Sequence, residues 1–200
     1  ISASPRGSLT GIRTGSAATS GVLNKRRQKA GNYGWFGGGL PASTLERIDF
    51  GNDSTTASLR GAISFGVRGM ASTGNSNYGW FCGGTPGAIP VSTVNRLDFY
   101  NDTDVLVRSP LSAGRGYLAA TGNSNYGWFG GGTSPTPAQV ERINYSNDST
   151  NSLIRGQLNP TRSNLAATGN SNYGWFGGGT PTTSTVDRID FSNDSSTASV

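Results

Sequence analysis

The residues able to carry chemistry in this chain are few, and the gaps among them narrow the field first. The sequence has 11 acidic and 16 basic residues, a single cysteine, Cys82, and no histidine. Without histidine, a serine triad or a cysteine–histidine nucleophile lacks its usual base. A conventional zinc site is out of reach, and one cysteine cannot form a disulfide within the chain. Paired carboxylates of the glycosidase kind stay conceivable. Asn-Asp-Ser/Thr triplets start at Asn52, Asn101, Asn147 and Asn193. One acidic side chain per triplet falls short of a calcium ligand set, and the turn-forming tendency of Asn and Asp accounts for them. No cofactor and no metal is expected.

Three other groups suggest binding. The glycine triplets, such as Gly130–Gly132, follow a strand-like segment, whereas a phosphate cradle needs a helix N-terminus after the glycines. Packing is their expected role. The tryptophans Trp35, Trp80, Trp128 and Trp175 could be stacking platforms, but they sit on short alternating segments that suit a sheet interior. Lys25, Arg26, Arg27 and Lys29 crowd into the segment Ser20–Ala30 and supply four of the net five positive charges. A solvated loop is the plain expectation. These four are also the candidate partner contact, toward an acidic neighbour such as another virion subunit. No aromatic residues interleave with them, so nucleic acid is the weaker form of that idea.

These residues belong to a repeat. Tyr-Gly-Trp-Phe begins at Tyr33, Tyr78, Tyr126 and Tyr173, at intervals of 45, 48 and 47 residues. A glycine triplet follows each, with Cys82 replacing the first glycine of the second copy. Next come Leu45–Phe50, Val94–Phe99, Val140–Tyr145 and Val186–Phe191, then the Asn-Asp turn and a polar stretch. Repeated framework positions therefore hold every candidate acid. An acidic residue two places after Arg47, Arg96 and Arg188 shares the face of that arginine, so a repeated ion pair or an interblade hydrogen bond is expected there.

Each unit reads as four short strands. Small Ala-Ala-Thr residues form the first, and Gly-Asn-Ser-Asn makes a tight hairpin to the aromatic second strand. The third alternates, and a polar fourth follows the Asn-Asp turn. No segment has helical apolar spacing, and none approaches the roughly 20 apolar residues that span a bilayer. No signal-peptide pattern opens the chain. Four antiparallel strands recurring at this period mark a propeller blade. The blades are expected at about 16–59, 70–107, 118–154 and 165–200, as one propeller. The leader 1–15 matches the linker that joins later blades, since Arg13 stands where Arg162 does. Both ends interrupt the pattern, so a longer or processed polypeptide is expected. Either a small closed ring, with residues 1–15 meeting the last blade, or a slice of a larger propeller fits, and closure is slightly favoured.

The unit resembles the kelch repeat. Phe176-Gly177-Gly178, the Val186–Phe191 strand and Arg162 before the blade carry that resemblance, although Ala198-Ser-Val stands where kelch units place a tryptophan. The phrases Gly-Asn-Ser-Asn-Tyr-Gly-Trp-Phe-Gly-Gly-Gly and Arg-Ile-Asp-Phe-Ser-Asn-Asp resemble structural proteins of phages that infect marine cyanobacteria. The resemblance implies an all-β, kelch-like β-propeller in a virion, in a tail, a fibre or on the capsid. Copper-radical kelch enzymes need histidine ligands that this chain lacks, so Cys82 is expected to be a small buried residue. The expected function is non-catalytic: the segments Leu40–Ser43, Thr85–Val91, Thr133–Ala138 and Thr180–Ser184 vary between copies and would be displayed for protein assembly or attachment to a host receptor or glycan. A lectin-like glycan-binding module is the alternative. A kelch-type oxidase or glycosidase stands behind both.

Overall fold

The computed structural model describes residues 8–10, 14–21, 33–52, 54–103, 105–133 and 138–194. Among them are 15 strands and no helix. Blade 1 comprises β1 (Ala17–Gly21), β2 (Tyr33–Gly37), β3 (Thr44–Asp49) and β4 (Ser58–Ala62). Blade 2 comprises β5 (Ala71–Gly74), β6 (Tyr78–Cys82), β7 (Val94–Asp98) and β8 (Val105–Arg108). Blade 3 comprises β9 (Ala119–Gly122), β10 (Tyr126–Gly130), β11 (Gln139–Asn144) and β12 (Leu153–Gln157). Blade 4 shows β13 (Ala166–Gly169), β14 (Tyr173–Gly177) and β15 (Val186–Asp190). Its expected fourth strand lies outside the described residues, as does the basic segment with Lys25, Arg26, Arg27 and Lys29.

Every sheet is an antiparallel meander with its strands in chain order. The first strands of successive blades lie beside one another, so they line the axis and the fourth strands form the rim. This is a four-bladed β-propeller array. Small residues on the first strand permit that crowding: Ala71 and Ala119 are buried against neighbouring blades.

The Asn-Ser-Asn hairpins form as the sequence suggests. Asn75, Asn123 and Asn170 each accept two backbone N–H bonds through the side-chain carbonyl, from Asn77 and Tyr78, Asn125 and Tyr126, and Asn172 and Tyr173. At the other end of β2, β6, β10 and β14 the glycine pairs turn with positive φ, and in the first three the second glycine donates its N–H to the linker entering the next blade, at Val67, Arg115 and Arg162. That conformation favours glycine, which has no Cβ to clash. The triplets are therefore blade junctions.

The described part of the leader packs on blade 1. Thr10 donates its backbone N–H and its hydroxyl to the Glu46 carboxylate, and Ala57 donates its N–H to the Ser8 carbonyl. The linkers before blades 3 and 4 place Ser112 and Asn159 on Glu141 and Asp187 in the same way. The leader is thus a linker seated on the blade that follows it. The expected meeting of the leader with the last blade is not seen among the described residues.

Candidate functional site

Most residues with chemical potential are consumed in joining blades. Trp35, Trp80 and Trp128 are fully buried. Each stacks on the aromatic that ends the third strand of the next blade: Trp35 on Phe99 at 4.2 Å between centroids, Trp80 on Tyr145 at 3.9 Å and Trp128 on Phe191 at 3.8 Å. A buried indole N–H needs an acceptor. Nε1 donates to Asp102 at 3.2 Å, Asp148 at 2.9 Å and Asp194 at 2.7 Å, the aspartates of the next blade's Asn-Asp turn. Arg47, Arg96 and Arg142 reach the same carboxylates at 2.7, 3.1 and 3.0 Å and lie over Tyr33, Tyr78 and Tyr126. A second arginine of the same blade, Arg60, Arg108 or Arg155, stands 3.4, 3.4 or 3.7 Å away.

The repeated ion pair or interblade hydrogen bond expected of the strand-three arginines forms across blades for Arg47, Arg96 and Arg142, onto the turn aspartates of the following blade and not onto Asp49 or Asp98. Arg188 acts on Asp190 of its own strand, whose pKa it helps to lower. The sequence did hold a signal for the partners across blades. Each turn keeps one aspartate, and each buried indole demands one acceptor.

Linker arginines make a second joint. Arg115 is fully buried; it donates to the carbonyls of Gly131 at 3.1 Å and Gln139 at 2.8 Å and pairs with Glu141 at 2.7 Å. Burial lowers its pKa from the ordinary value, and the Glu141 charge opposes that shift. Arg162 pairs with Asp187 at 2.5 Å and donates to the Phe176 carbonyl. In blade 2 both partners change together: Val67 occupies the arginine position, and Asn95 occupies the acid position, accepting from Ser64. Cys82 is buried beside Phe129 and Trp80, and burial raises its pKa well above the ordinary thiol value. A neutral, enclosed thiol is inert. Among the described residues, no group of three or more His, Cys, Asp or Glu side chains is arranged to hold a metal.

What remains open lies at two ends of the blades. The antiparallel meander puts the variable segments Leu40–Ser43, Thr85–Val91 and Thr180–Ser184, with the described ends of Thr133–Ala138, on the linker side. Leu40, Thr85, Thr133 and Thr180 each bridge to a linker residue, and Ile89 stands 78% exposed at the tip of the second. On the opposite side, polar clefts run between blades. One, of about 340 Å³ between blades 2 and 3, takes in Asn75, Asn77, Tyr78, Asn125, Tyr126 and Ser146. Another, of about 410 Å³ between blades 3 and 4, takes in Asn123, Ser171, Asn172, Tyr173, Asp190 and Ser192. Asp190 accepts the backbone and side-chain bonds of Ser192, which hold its pKa below the usual carboxylate value. Sequence reasoning treated these hairpins as turns only. Their exposed second asparagine, free of any role in the turn's own side-chain bonds, was the available clue.

No family model matches the chain, and no curated protein matches it. Solved structures do. The one titled "Structure of YjhT" superposes with a TM-score of 0.75 at 10% identity, covering 95% of this chain and 66% of that one. The chain thus spans about two thirds of that structure's length, and the likeness is one of fold.

Proposed function

We infer that the chain is a non-catalytic adhesion and assembly propeller of a virion, a stiff repeat that carries recognition groups at its surface. The observation that supports this most is the deployment of the acids. Asp102, Asp148, Asp194, Glu46, Glu141 and Asp187 are all buried and all bonded at repeated structural joints. Carboxylates so engaged are poor candidates for acid–base work. The resemblance of the repeat phrases to structural proteins of cyanobacterial phages supports the virion setting. The loops on the linker side differ between copies while the scaffold does not, which suits contact with a protein partner or a host surface. Gold-labelled antibody against the chain should decorate intact phage particles in electron microscopy, and the same antibody should reduce adsorption to host cells. Particles left unlabelled while free chain is abundant in the lysate would end this reading.

A second reading, lectin-like glycan binding, draws on the clefts. Their lining of Asn amides, Ser hydroxyls and Tyr rings offers neutral hydrogen-bond donors and acceptors beside an aromatic ring, the groups a sugar's hydroxyls and C–H face require. On a glycan array the chain should then bind, and Asn125→Ala with Asn172→Ala should weaken binding about tenfold without lowering the melting temperature. Absence of any glycan signal leaves protein assembly alone.

A further inference from the structure

The Asn-Ser-Asn hairpins keep residues that their own structure does not need. The pairs Ser76-Asn77, Ser124-Asn125 and Ser171-Asn172 are identical in three units and exposed in each. Their side chains make no hydrogen bond among the described residues. The turn draws instead on the asparagine before them, Asn75, Asn123 or Asn170, whose side-chain carbonyl accepts both backbone bonds. Nor does the backbone call for asparagine, because Asn77, Asn125 and Asn172 all lie outside the positive-φ region that asparagine tolerates better than most residues. The tyrosine that follows, Tyr78, Tyr126 or Tyr173, is half-buried, and its hydroxyl has no partner among the described residues. Other exposed positions have diverged. The residue after the third-strand aromatic is Tyr100, Ser146 or Ser192, and the linker-side segments differ in length and sequence.

These unspent groups gather in the two interblade clefts, and the clefts adjoin. Asn125 and Tyr126 of the blade 3 hairpin wall the cleft toward blade 2, and Asn123 of the same hairpin walls the cleft toward blade 4. Residues 123–126 are therefore a ridge common to both. Asn77 and Tyr78 stand on the far wall of the first cleft, Asn172 and Tyr173 on that of the second.

The charge of the linings is as informative as their shape. Neither contains a lysine or an arginine, and Asp190 of the second cleft is the one charged residue in them. The arginines over Tyr78 and Tyr126 are held by Asp148 and Asp194, and Arg188, over Tyr173, has its charge set against Asp190. An acidic sugar would find no counter-charge in either cleft and a repelling carboxylate in one. An uncharged sugar finds amides and hydroxyls able to donate and accept. At the one equivalent position where the clefts differ in chemistry, Asn144 Nδ2 is an open donor, whereas Asp190 Oδ2 is an open acceptor.

We propose that the two clefts are successive subsites for one neutral polysaccharide chain laid across the ridge of residues 123–126. This rests on the glycan-binding reading of the clefts and adds the charge class of the sugar and the bridging of two sites. Asn125 serves the first subsite and Asn172 the second. Asn144 gives a hydrogen bond to a ring or carbonyl oxygen, and Asp190 takes one from a free hydroxyl. A chain held at both subsites gains affinity because its second contact is intramolecular.

The test begins with an array of neutral chains (mannan, galactan, xylan, dextran) beside acidic ones (alginate, polygalacturonate, dextran sulfate). It is read in low and in high salt, because a net charge of +5 attracts polyanions without a site. Neutral chains should hold the protein at both salt levels, and any acidic signal should vanish in high salt. Calorimetry with oligosaccharides cut from the best neutral chain then tests bridging. Affinity should rise about tenfold or more once the oligosaccharide is long enough to reach both clefts. Asn125→Ala or Asn172→Ala alone should abolish that rise, while short oligosaccharides still bind and the melting temperature is unchanged. Silence across the whole array ends the glycan reading and this inference together. Acidic chains retained in high salt with neutral ones passed over leave the glycan reading standing and overturn the inference. So does an affinity that does not depend on chain length.

Discussion

At the scale of single residues, the repeat is held by what is absent as much as by what is present. Gly130 faces Phe176 so closely that an added Cβ would lie 2.8 Å from Cε1, inside a junction whose rings already touch. Gly177 occupies the same place one blade later, and its added Cβ would meet only Val186 at an ordinary 3.5 Å. Gly130→Ala should therefore overpack the core and cost about 1–3 kcal/mol. Gly177→Ala should be neutral or slightly stabilising, because alanine restricts the unfolded chain. Urea melts of the two variants check this contrast. Equal losses at both sites would mean that the two environments are alike, against the open space beside Gly177. Cys82 stands at the matching position in blade 2 and shows that a modest side chain can be admitted when the neighbouring ring, Phe129, is placed to receive it.

At the scale of elements, the buried arginine joint is the feature whose energetics can be isolated. Arg115 and Glu141 are both sealed from solvent, and breaking such a pair from one side leaves a buried charge at a cost of about 3–5 kcal/mol. Glu141→Asn alone should approach that loss. Blade 2 already contains the alternative solution, Val67 with Asn95, at the same two positions. The double variant Arg115→Val with Glu141→Asn should recover most of the loss, and a double-mutant cycle should give a coupling of about 2 kcal/mol or more. A double variant as unstable as the sum of its parts would show that the joint is not self-contained. The same joint marks how far the sequence could be read. Strands, hairpins and period were legible because Tyr-Gly-Trp-Phe and Asn-Ser-Asn are local signals, set by alternation and by Asx-turn chemistry. The aspartate clamp was not, because Trp35 and Asp102 lie 67 residues apart and only the sheet-on-sheet stacking brings them together. The coupled change of Val67 with Asn95 was invisible for the same reason. The polar clefts were missed because each draws its walls from two blades, and no single unit contains one.

At the scale of the whole molecule, a repeat array draws its stability from unit terms and from junctions between neighbours. Among the described residues, blades 2 and 3 pack against a blade on both sides, and blades 1 and 4 against one each. The consequence is visible along the axis: Ala119 and Thr121 of β9 are buried, while Ala166 and Thr168 of β13 are exposed. Protection should follow that gradient. In native-state hydrogen exchange, the amides of β6, β10 and β11 should open only with global unfolding, whereas β13 and β15 should exchange through a lower-energy opening of blade 4. Cys82 gives an independent clock for the central junction. Its thiol is enclosed and kept neutral by burial, so a thiol reagent at mild alkaline pH should modify it no faster than β10 exchanges. Labelling of Cys82 at the rate of β13 exchange would mean that the junction between blades 2 and 3 opens together with the end of the array. The blades would then form one cooperative unit, and the uncovered face of blade 4 would carry no energetic consequence. Slow labelling beside fast β13 exchange ties the lower stability of blade 4 to its greater exposure.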